Sequence, residues 1–380
     1  MRPEPVVVIA PDKFKGSLTA ARAARAIAEG WRSSYGRRAC STILVPMADG
    51  GEGTVDAFVA NGFRRVSVTV QDAAGHEIDA SFALDGTTAL VELAAASGLG
   101  RLRGSDRDVR HASTGGTGQL IAAALDAGAQ RIVVGLGGSA SNDGGTGLLR
   151  ALGVRFYDEA GIDLSPGGAP LARLARIDLT GLDPRVARAT FVAATDVIHA
   201  LTGPYGASAV FGPQKGASPE DVLELDAALE HYADVTAATL GRDVRSTAGS
   251  GAAGGAGFAL LAFLNAEARR GAELVGELLG LPAALARATL CVTGEGSIDA
   301  QTLGGKTVLG VAALARTARV PVVAFAGSVT SAAELALRAR GVTCVPIVDG
   351  PTDLDDALKD GRELLKRAAA RTAELLRTSV

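Results

Sequence analysis

Five segments of this chain bring glycine together with acids or lysine, and each has a composition that suits anion or metal chemistry. Residues 293–307 read TGEGSIDAQTLGGKT. They place Glu295 and Asp299 in a glycine-rich loop after the apolar run ATLCV. They end on Gly304, Gly305, Lys306 and Thr307, just before the helical pattern VLGVAALAR. Residues 300–307 fit a relaxed phosphate-loop pattern in which alanine replaces the first glycine of GxxxxGK[ST]. The physical basis is a strand, a loop and then a helix N-terminus, whose unpaired N–H groups and positive dipole end attract phosphate. Glu295 and Asp299 can hold Mg2+ through water, as hard carboxylates do. They can equally serve loop solvation and helix capping.

The other four segments follow the same logic. In RIVVGLGGSASNDGGTG, residues 131–147, a strand runs into glycines whose backbone amides can approach an anion. Gly137, Gly138, Ser139, Asn142 and Asp143 are the candidates there. Gly135, Gly137 and Ala140 also imitate a dinucleotide fingerprint, although the acid expected about 20 residues later falls in the turn YDEAG. PMADGGEGTVDAF sets Asp49 and Glu52 around two glycines before a helix, suited to metal or hydroxyl binding, with helix capping by Asp49 as the alternative. APDKFKGSLTA offers Lys13 and Lys15 at the end of the first strand. Residues 202–218, TGPYGASAVFGPQKGAS, carry Lys215 in a stretch without periodicity, which suggests a functional loop or lid.

These residues need elements to hold them. VVVIA, STILVP, TLCVTG, VPVVAFAG and VTCVPIV are short apolar runs suited to strands buried on both faces. Alanine-rich helical stretches alternate with them, with Ser17 as a candidate N-cap and Gly341 as a helix stop. Such alternation predicts a parallel α/β sheet with its ligand edge at the strand C-termini. The middle differs: residues 64–94 alternate apolar and polar residues with turn signals at Ala74-Gly75 and Asp85-Gly86, the pattern of an antiparallel meander. The fold class expected is therefore α/β with two domains. Residues 1–63 and 287–380 form an outer Rossmann-like parallel-sheet domain drawn from both termini. Residues 64–286 form an inserted mixed α/β domain, and the active site is expected in the cleft between the two.

Composition narrows the function classes. Apolar residues are 47 % of the 380 and charged residues 21 %, consistent with a large core and not with disorder. A net charge of -3 argues against a nucleic-acid or anionic-membrane surface. No run approaches the roughly 18 apolar residues of a membrane span. The apolar run before Pro11 reads as a buried strand and not as a signal peptide. Cys40, Cys291 and Cys344 are far apart and lack zinc-ligand spacing; they look like buried thiols of a reducing compartment, so a cytoplasmic location is expected. With four histidines and no HExxH or GxSxG pattern, zinc or serine-triad hydrolysis is disfavoured. Polyanion handling remains.

Taken together, these segments resemble the bacterial type I glycerate kinases along essentially the whole chain. The resemblance is carried by APDKFKGSLTA, PMADGGEGT, LVELAAASGL, GGSASNDGGTG, VFGPQKGA, GSGAAGGAG and VTGEGSIDAQTLGGKT, in the family's order. It implies a two-domain α/β enzyme that phosphorylates glycerate from ATP with Mg2+. One segment departs: the family typically carries Asp-Val-Asp-Asn-Pro-Leu where this chain has Asp196, Val197, Ile198, His199, Ala200 and Leu201. If that segment orients substrate or metal, substrate handling is altered; if it is a structural turn, little changes.

Phosphoryl transfer rests on positioning and charge neutralisation, and on that basis roles can be distributed. Lys306 with the Gly304 and Gly305 backbone is expected on the ATP phosphates, and Gly137, Gly138 and Ser139, with Asn142 and Asp143, form a second anion cradle. Asp49, Glu52, Glu295 and Asp299 are the Mg2+ or general-base candidates, with Asp196 an alternative base. Lys13, Lys15 or Lys215 is expected on the substrate carboxylate. Rival readings are a kinase of another small hydroxy acid, a nicotinamide-dependent hydroxy-acid dehydrogenase using residues 135–140, and a non-catalytic nucleotide sensor. The choice between 2- and 3-phosphoglycerate, and whether the chain forms a homodimer, stay open.

Overall fold

A computed structural model describes residues 5–35 and 40–378. The chain divides into two compact units. The first comprises the residues up to Asp49, Asp56–Asn61, and the chain from Arg270 onward; the second comprises Gly50–Val55 and Gly62–Arg269.

The first unit is built on a five-stranded, wholly parallel sheet. Strands are numbered along the whole chain: β1 (Val6–Ile9) and β2 (Ser41–Leu44) come early, and β11 (Leu290–Ile298), β12 (Val322–Val329) and β13 (Val342–Pro346) come late, in the order β13-β12-β11-β1-β2. The apolar runs of β1, β11 and β12 are largely buried, which removes any need for polar alternation there, while the edge strands β2 and β13 are only partly covered. On one face Val7, Ile9, Val292 and Phe325 pack with Trp31 and Leu365 from the helices Ala20–Tyr35 and Gly361–Thr378. Gly30 makes that helix pairing close: a Cβ there would lie 2.1 Å from the Lys366 carbonyl oxygen. The helix Thr307–Thr317 packs on β11 and against the helix Gly271–Leu278.

The second unit holds a six-stranded mixed sheet. Its strands are β3 (Arg64–Gln71), β4 (Glu77–Asp85), β5 (Thr88–Glu92), β6 (Arg131–Gly135), β9 (Thr190–Ala194) and β10 (Glu267–Arg269), ordered β10-β9-β6-β5-β4-β3. β3, β4 and β5 form the antiparallel meander, with Gly75 and Gly86 at positive φ in its turns. From β5 onward the pairing to β6, β9 and β10 is parallel. β7 (Arg155–Tyr157) and β8 (Arg176–Asp178) make a separate two-stranded antiparallel sheet. The core of this unit includes Phe82, Phe156, Phe191, Tyr232 and Phe258.

Several local expectations change. TGEGSI is strand and not loop, because β11 continues to Ile298. Its glycines are explained by close approach: a Cβ on Gly294 would lie 2.3 Å from the Phe325 carbonyl oxygen, and one on Gly296 3.1 Å from the Lys15 nitrogen. Glu295 is therefore held on a rigid strand. Ser17 does not cap the first helix; its hydroxyl donates to the Leu358 carbonyl at 2.5 Å, while Thr19 Oγ1 accepts from the Arg22 amide at 3.3 Å. At the start of the helix Thr54–Ala60, Glu92 accepts from the amides of Gly53 (3.0 Å) and Val55 (3.1 Å), a capping role that the sequence offered to Asp49. Residues 202–218 are no open loop: they contain the helix Ala207–Phe211 and the 3-10 turn Pro213–Lys215. Cys291 is fully buried, but Cys344 is only half-buried because β13 is an edge strand, and Cys40 is also only partly covered.

Candidate active site

In the first unit the parallel order brings β11, β1 and β2 side by side, so the segments leaving their C-terminal ends converge. Asp12 follows β1, Asp49 follows β2, and Glu295 lies toward the end of β11. Asp12 is buried and accepts from the Thr307 hydroxyl at the start of the helix Thr307–Thr317, and its own Oδ1 takes the Lys13 amide. Burial, then the Asp49 carboxylate, pushes Asp12 up to about 6, against the pull of Lys13 and Thr307. Glu295 is also buried and accepts from Thr302 Oγ1 at 2.8 Å. Burial pushes it up to about 7, with Asp12 and Asp49 adding repulsion and Thr302 and Lys306 opposing it. Asp12 and Glu295 are therefore costly to ionise, with the Asp49 carboxylate adding repulsion at both, an arrangement that favours an arriving cation.

Lys306 stands at the N-terminus of the helix Thr307–Thr317, and its Nζ donates to Gln301 Oε1 at 2.8 Å. Gly305 precedes it with φ +115°, a conformation only glycine adopts without strain, and Gly304 is exposed. Lys13 and Lys15 lie on a tight turn closed by the Phe14 and Leu18 backbones, with Lys15 exposed. Asp299 sits apart in role: its Oδ1 closes a turn by accepting from the Gln301 amide at 2.8 Å. Among the described residues no three His, Cys, Asp or Glu side chains form a group able to hold a metal ion by themselves.

The second unit keeps the 131–147 segment under tighter control. Gly137 faces Gly51, where a Cβ would lie 2.6 Å from the Gly51 Cα, so this glycine has a packing reason of its own. Gly138 is exposed with φ +74°, and Ser139 is buried. Asn142 and Asp143 are wholly buried. Asp143 Oδ2 accepts from the Thr114 amide and hydroxyl (both 2.8 Å) and the Gly147 amide (3.1 Å), and Oδ1 from the Gly145 amide (3.0 Å). It thereby ties the starts of the helices Gly115–Asp126 and Thr146–Ala151. Burial raises its pKa against those hydrogen bonds. Asn142 Nδ2 donates to Ser208 Oγ at 2.8 Å. Lys215 is only 2 % exposed, and its Nζ donates to the Ser141 carbonyl at 2.6 Å.

Glu52 is exposed in the second unit and Asp196 is partly buried beyond β9. The neighbouring departure is pinned in place: His199 Nδ1 lies 2.9 Å from the Tyr205 carbonyl, Leu201 is buried, and Ile198 is 78 % exposed. The dinucleotide reading of residues 135–140 loses its frame, because β6 has β5 and β9 as parallel neighbours while the next strand, β7, lies in a different sheet. The chain returns to a parallel neighbour of β6 only at β9, after the β7–β8 excursion, so no second-strand acid stands about 20 residues on. Asp12, Thr302 and Thr307 were missed from sequence. Asp12 had a signal, since it leaves β1 as Asp49 leaves β2; the threonines had none until the fold put them beside acids.

Comparison with known proteins agrees with this architecture. The glycerate kinase family model matches residues 7–377. A glycerate kinase from Bacillus subtilis is 44 % identical over 367 residues, covering 96 % of this chain and 95 % of its own. A glycerate 2-kinase from Escherichia coli is 42 % identical over 375 residues, 97 % of each chain. A crystal structure from Salmonella typhimurium LT2 that carries the name glycerate kinase 2 superposes with a TM-score of 0.88 at 44 % identity, over 99 % of both chains. No helix among the described residues is long and apolar enough to cross a membrane. The chain belongs to the glycerate kinase family, small-molecule kinases that transfer phosphate to a hydroxyl of glycerate.

Proposed function

We propose that this chain transfers the γ-phosphoryl group of ATP to a hydroxyl of D-glycerate, giving a phosphoglycerate, and that the first unit's strand edge carries the phosphate chemistry. One observation supports this most: Lys306 and the N-terminus of the helix Thr307–Thr317 adjoin the buried Asp12 and Glu295. Amide N–H groups, a helix dipole and one ammonium meet phosphate, while the carboxylates serve a cation and a proton.

Mg2+ fits the donor set in a particular way. A magnesium ion keeps several waters and takes one or two carboxylates together with substrate phosphates. Asp12 and Asp49 offer that number of hard oxygens. Such an ion would neutralise charge on the transferring phosphate. Glu295, held near neutrality, accepts the proton of the attacking hydroxyl, since a general base works best with a pKa near the operating pH. The Gly304 and Gly305 amides, expected on phosphate, instead donate to the Gln301 (3.0 Å) and Thr302 (3.4 Å) carbonyls and shape the turn that presents Lys306; Lys13 or Lys15 holds the glycerate carboxylate. In the second unit, the exposed Gly138 and its neighbours Gly137 and Ser139 remain a second anion cradle. Glu52, Asp196 and Asp299 take auxiliary places; Asp299 shapes the turn before Lys306. Action in the cytoplasm accords with this chemistry.

The test is a ³¹P NMR spectrum of the purified protein with ATP, Mg2+ and D-glycerate. A phosphomonoester resonance growing as ADP appears is expected, and its proton coupling identifies the phosphorylated oxygen. ATP left intact with D-glycerate but consumed with another hydroxy acid would move the substrate assignment; no consumption with any would end the kinase reading.

A further inference from the structure

Residues 136–145 are gripped from three sides within the second unit. Asp143 fastens them to the start of the helix Gly115–Asp126 through Thr114. Gly254 covers them: a Cβ there would come 2.1 Å from the Ser141 carbonyl oxygen, and the Gly144 amide donates to the Gly254 carbonyl at 3.0 Å. The third grip comes from one short stretch that supplies two tethers. Ser208, in the helix Ala207–Phe211, accepts from Asn142 Nδ2 at 2.8 Å, and Lys215, ending the turn Pro213–Lys215, donates to the Ser141 carbonyl at 2.6 Å.

A lysine that receives an incoming carboxylate must present its ammonium to solvent. Lys215 does not: the residue is 2 % exposed and its Nζ already points at a buried carbonyl. Its counter-charge is Asp143, which is wholly buried as well. Burial lowers the Lys215 pKa to about 7 and Asp143 pulls it back up. An ammonium placed this way acts on the loop and not on a ligand.

We propose that Lys215 is a positioning residue, an internal cation that fixes residues 136–145 so that the amides around Gly138 are presented to a nucleotide phosphate. The anion-cradle half of this statement rests on the kinase reading; the tether half does not. Two measurements on the full chain separate them. Amide hydrogen exchange of a peptide spanning 136–145, in ligand-free protein, should quicken about tenfold in Lys215→Met, since a released segment opens locally. The Kd for ATP should rise about tenfold in the same variant, while KM for glycerate stays within about twofold. Ser208→Ala, which cuts the second tether, should move both readings in the same direction by less, and it serves alone if Lys215→Met fails to fold. Unchanged exchange with a tenfold rise in KM for glycerate would make Lys215 a substrate ligand and overturn the proposal. Faster exchange with an unchanged Kd would reduce Lys215 to a purely structural residue and overturn it too. If the wild-type protein binds no ATP, the kinase reading fails instead, and exchange alone decides the tether.

Discussion

Asp143 and Glu295 are both carboxylates buried beside glycines, the first just after a parallel strand and the second within one, and their surroundings differ. Asp143 has four hydrogen bonds from Thr114, Gly145 and Gly147, and a buried ammonium nearby. Glu295 has one hydrogen bond from Thr302 and repulsion from two other acids. A buried charge that is fully bonded is a structural anchor, whereas one pressed against like charges is poised to accept a proton or a cation. The same residue types next to the same glycines thus stand in opposite surroundings, and only the count and sign of their neighbours tells them apart.

That contrast can be broken by substitution. Asp143→Ala should give the largest effect, a loss of about 3–5 kcal/mol in urea unfolding, because it strands Lys215 and the Thr114, Gly145 and Gly147 donors. A loss under 1 kcal/mol would mean that Asp143 is no anchor.

Glu295→Gln should do the reverse to stability while harming catalysis. The carboxyl has its pKa raised from 4.5 to about 7, so above pH 7 the native state bears a desolvated charge that the unfolded chain carries at no such cost. At pH 8 the variant should be more stable by up to about 3 kcal/mol. The gain should shrink as pH falls through 7 and be absent below about 4.5, where both states are protonated. Its kcat should fall about a hundredfold, and the acidic limb of kcat/KM, expected in the wild type to rise with pH through about 7, should disappear. An acidic limb that survives in the variant would assign the base elsewhere.

Lys306→Ala should lower kcat/KM by at least about tenfold, the value of one charged hydrogen bond, with unfolding stability hardly changed. Full activity in this variant would remove Lys306 from the phosphate site. Thr19→Ala, which touches neither carboxylate's hydrogen bonds, supplies the baseline: loss of a long capping hydrogen bond should cost about 0.5–1 kcal/mol in thermal or urea unfolding and leave kinetics alone.

Much of the frame was legible from local pattern. The five apolar runs form the parallel sheet and residues 64–94 form the meander, because burial on two faces or on one leaves a direct imprint on residue order. The candidate site was legible only in residue type. Nothing near Asp12 announces Thr307, which lies 295 residues away. Glu92 caps a helix 37 residues earlier in the chain, so Asp49 looked like the cap by proximity alone. The glycines of TGEGS read as a loop because a glycine required for close backbone approach resembles a glycine required for a turn until the neighbouring strand is placed. The burial of Lys215 was hidden for the same reason: it depends on segments 74 residues apart.

The pairing of β1 has a consequence for how the chain emerges during synthesis. Val7 lies opposite Thr42 in β2 but also opposite Leu290 in β11, and the first helix packs on the last. The opening 49 residues, which hold only the β1–β2 half of that pairing, must therefore leave the ribosome before β11 and wait while Gly62–Arg269, a nearly self-contained stretch, is made and folds. An N-terminal apolar strand held waiting that long is a natural client for a chaperone. A chain that stops short of β11 should yield a folded middle flanked by an idle beginning.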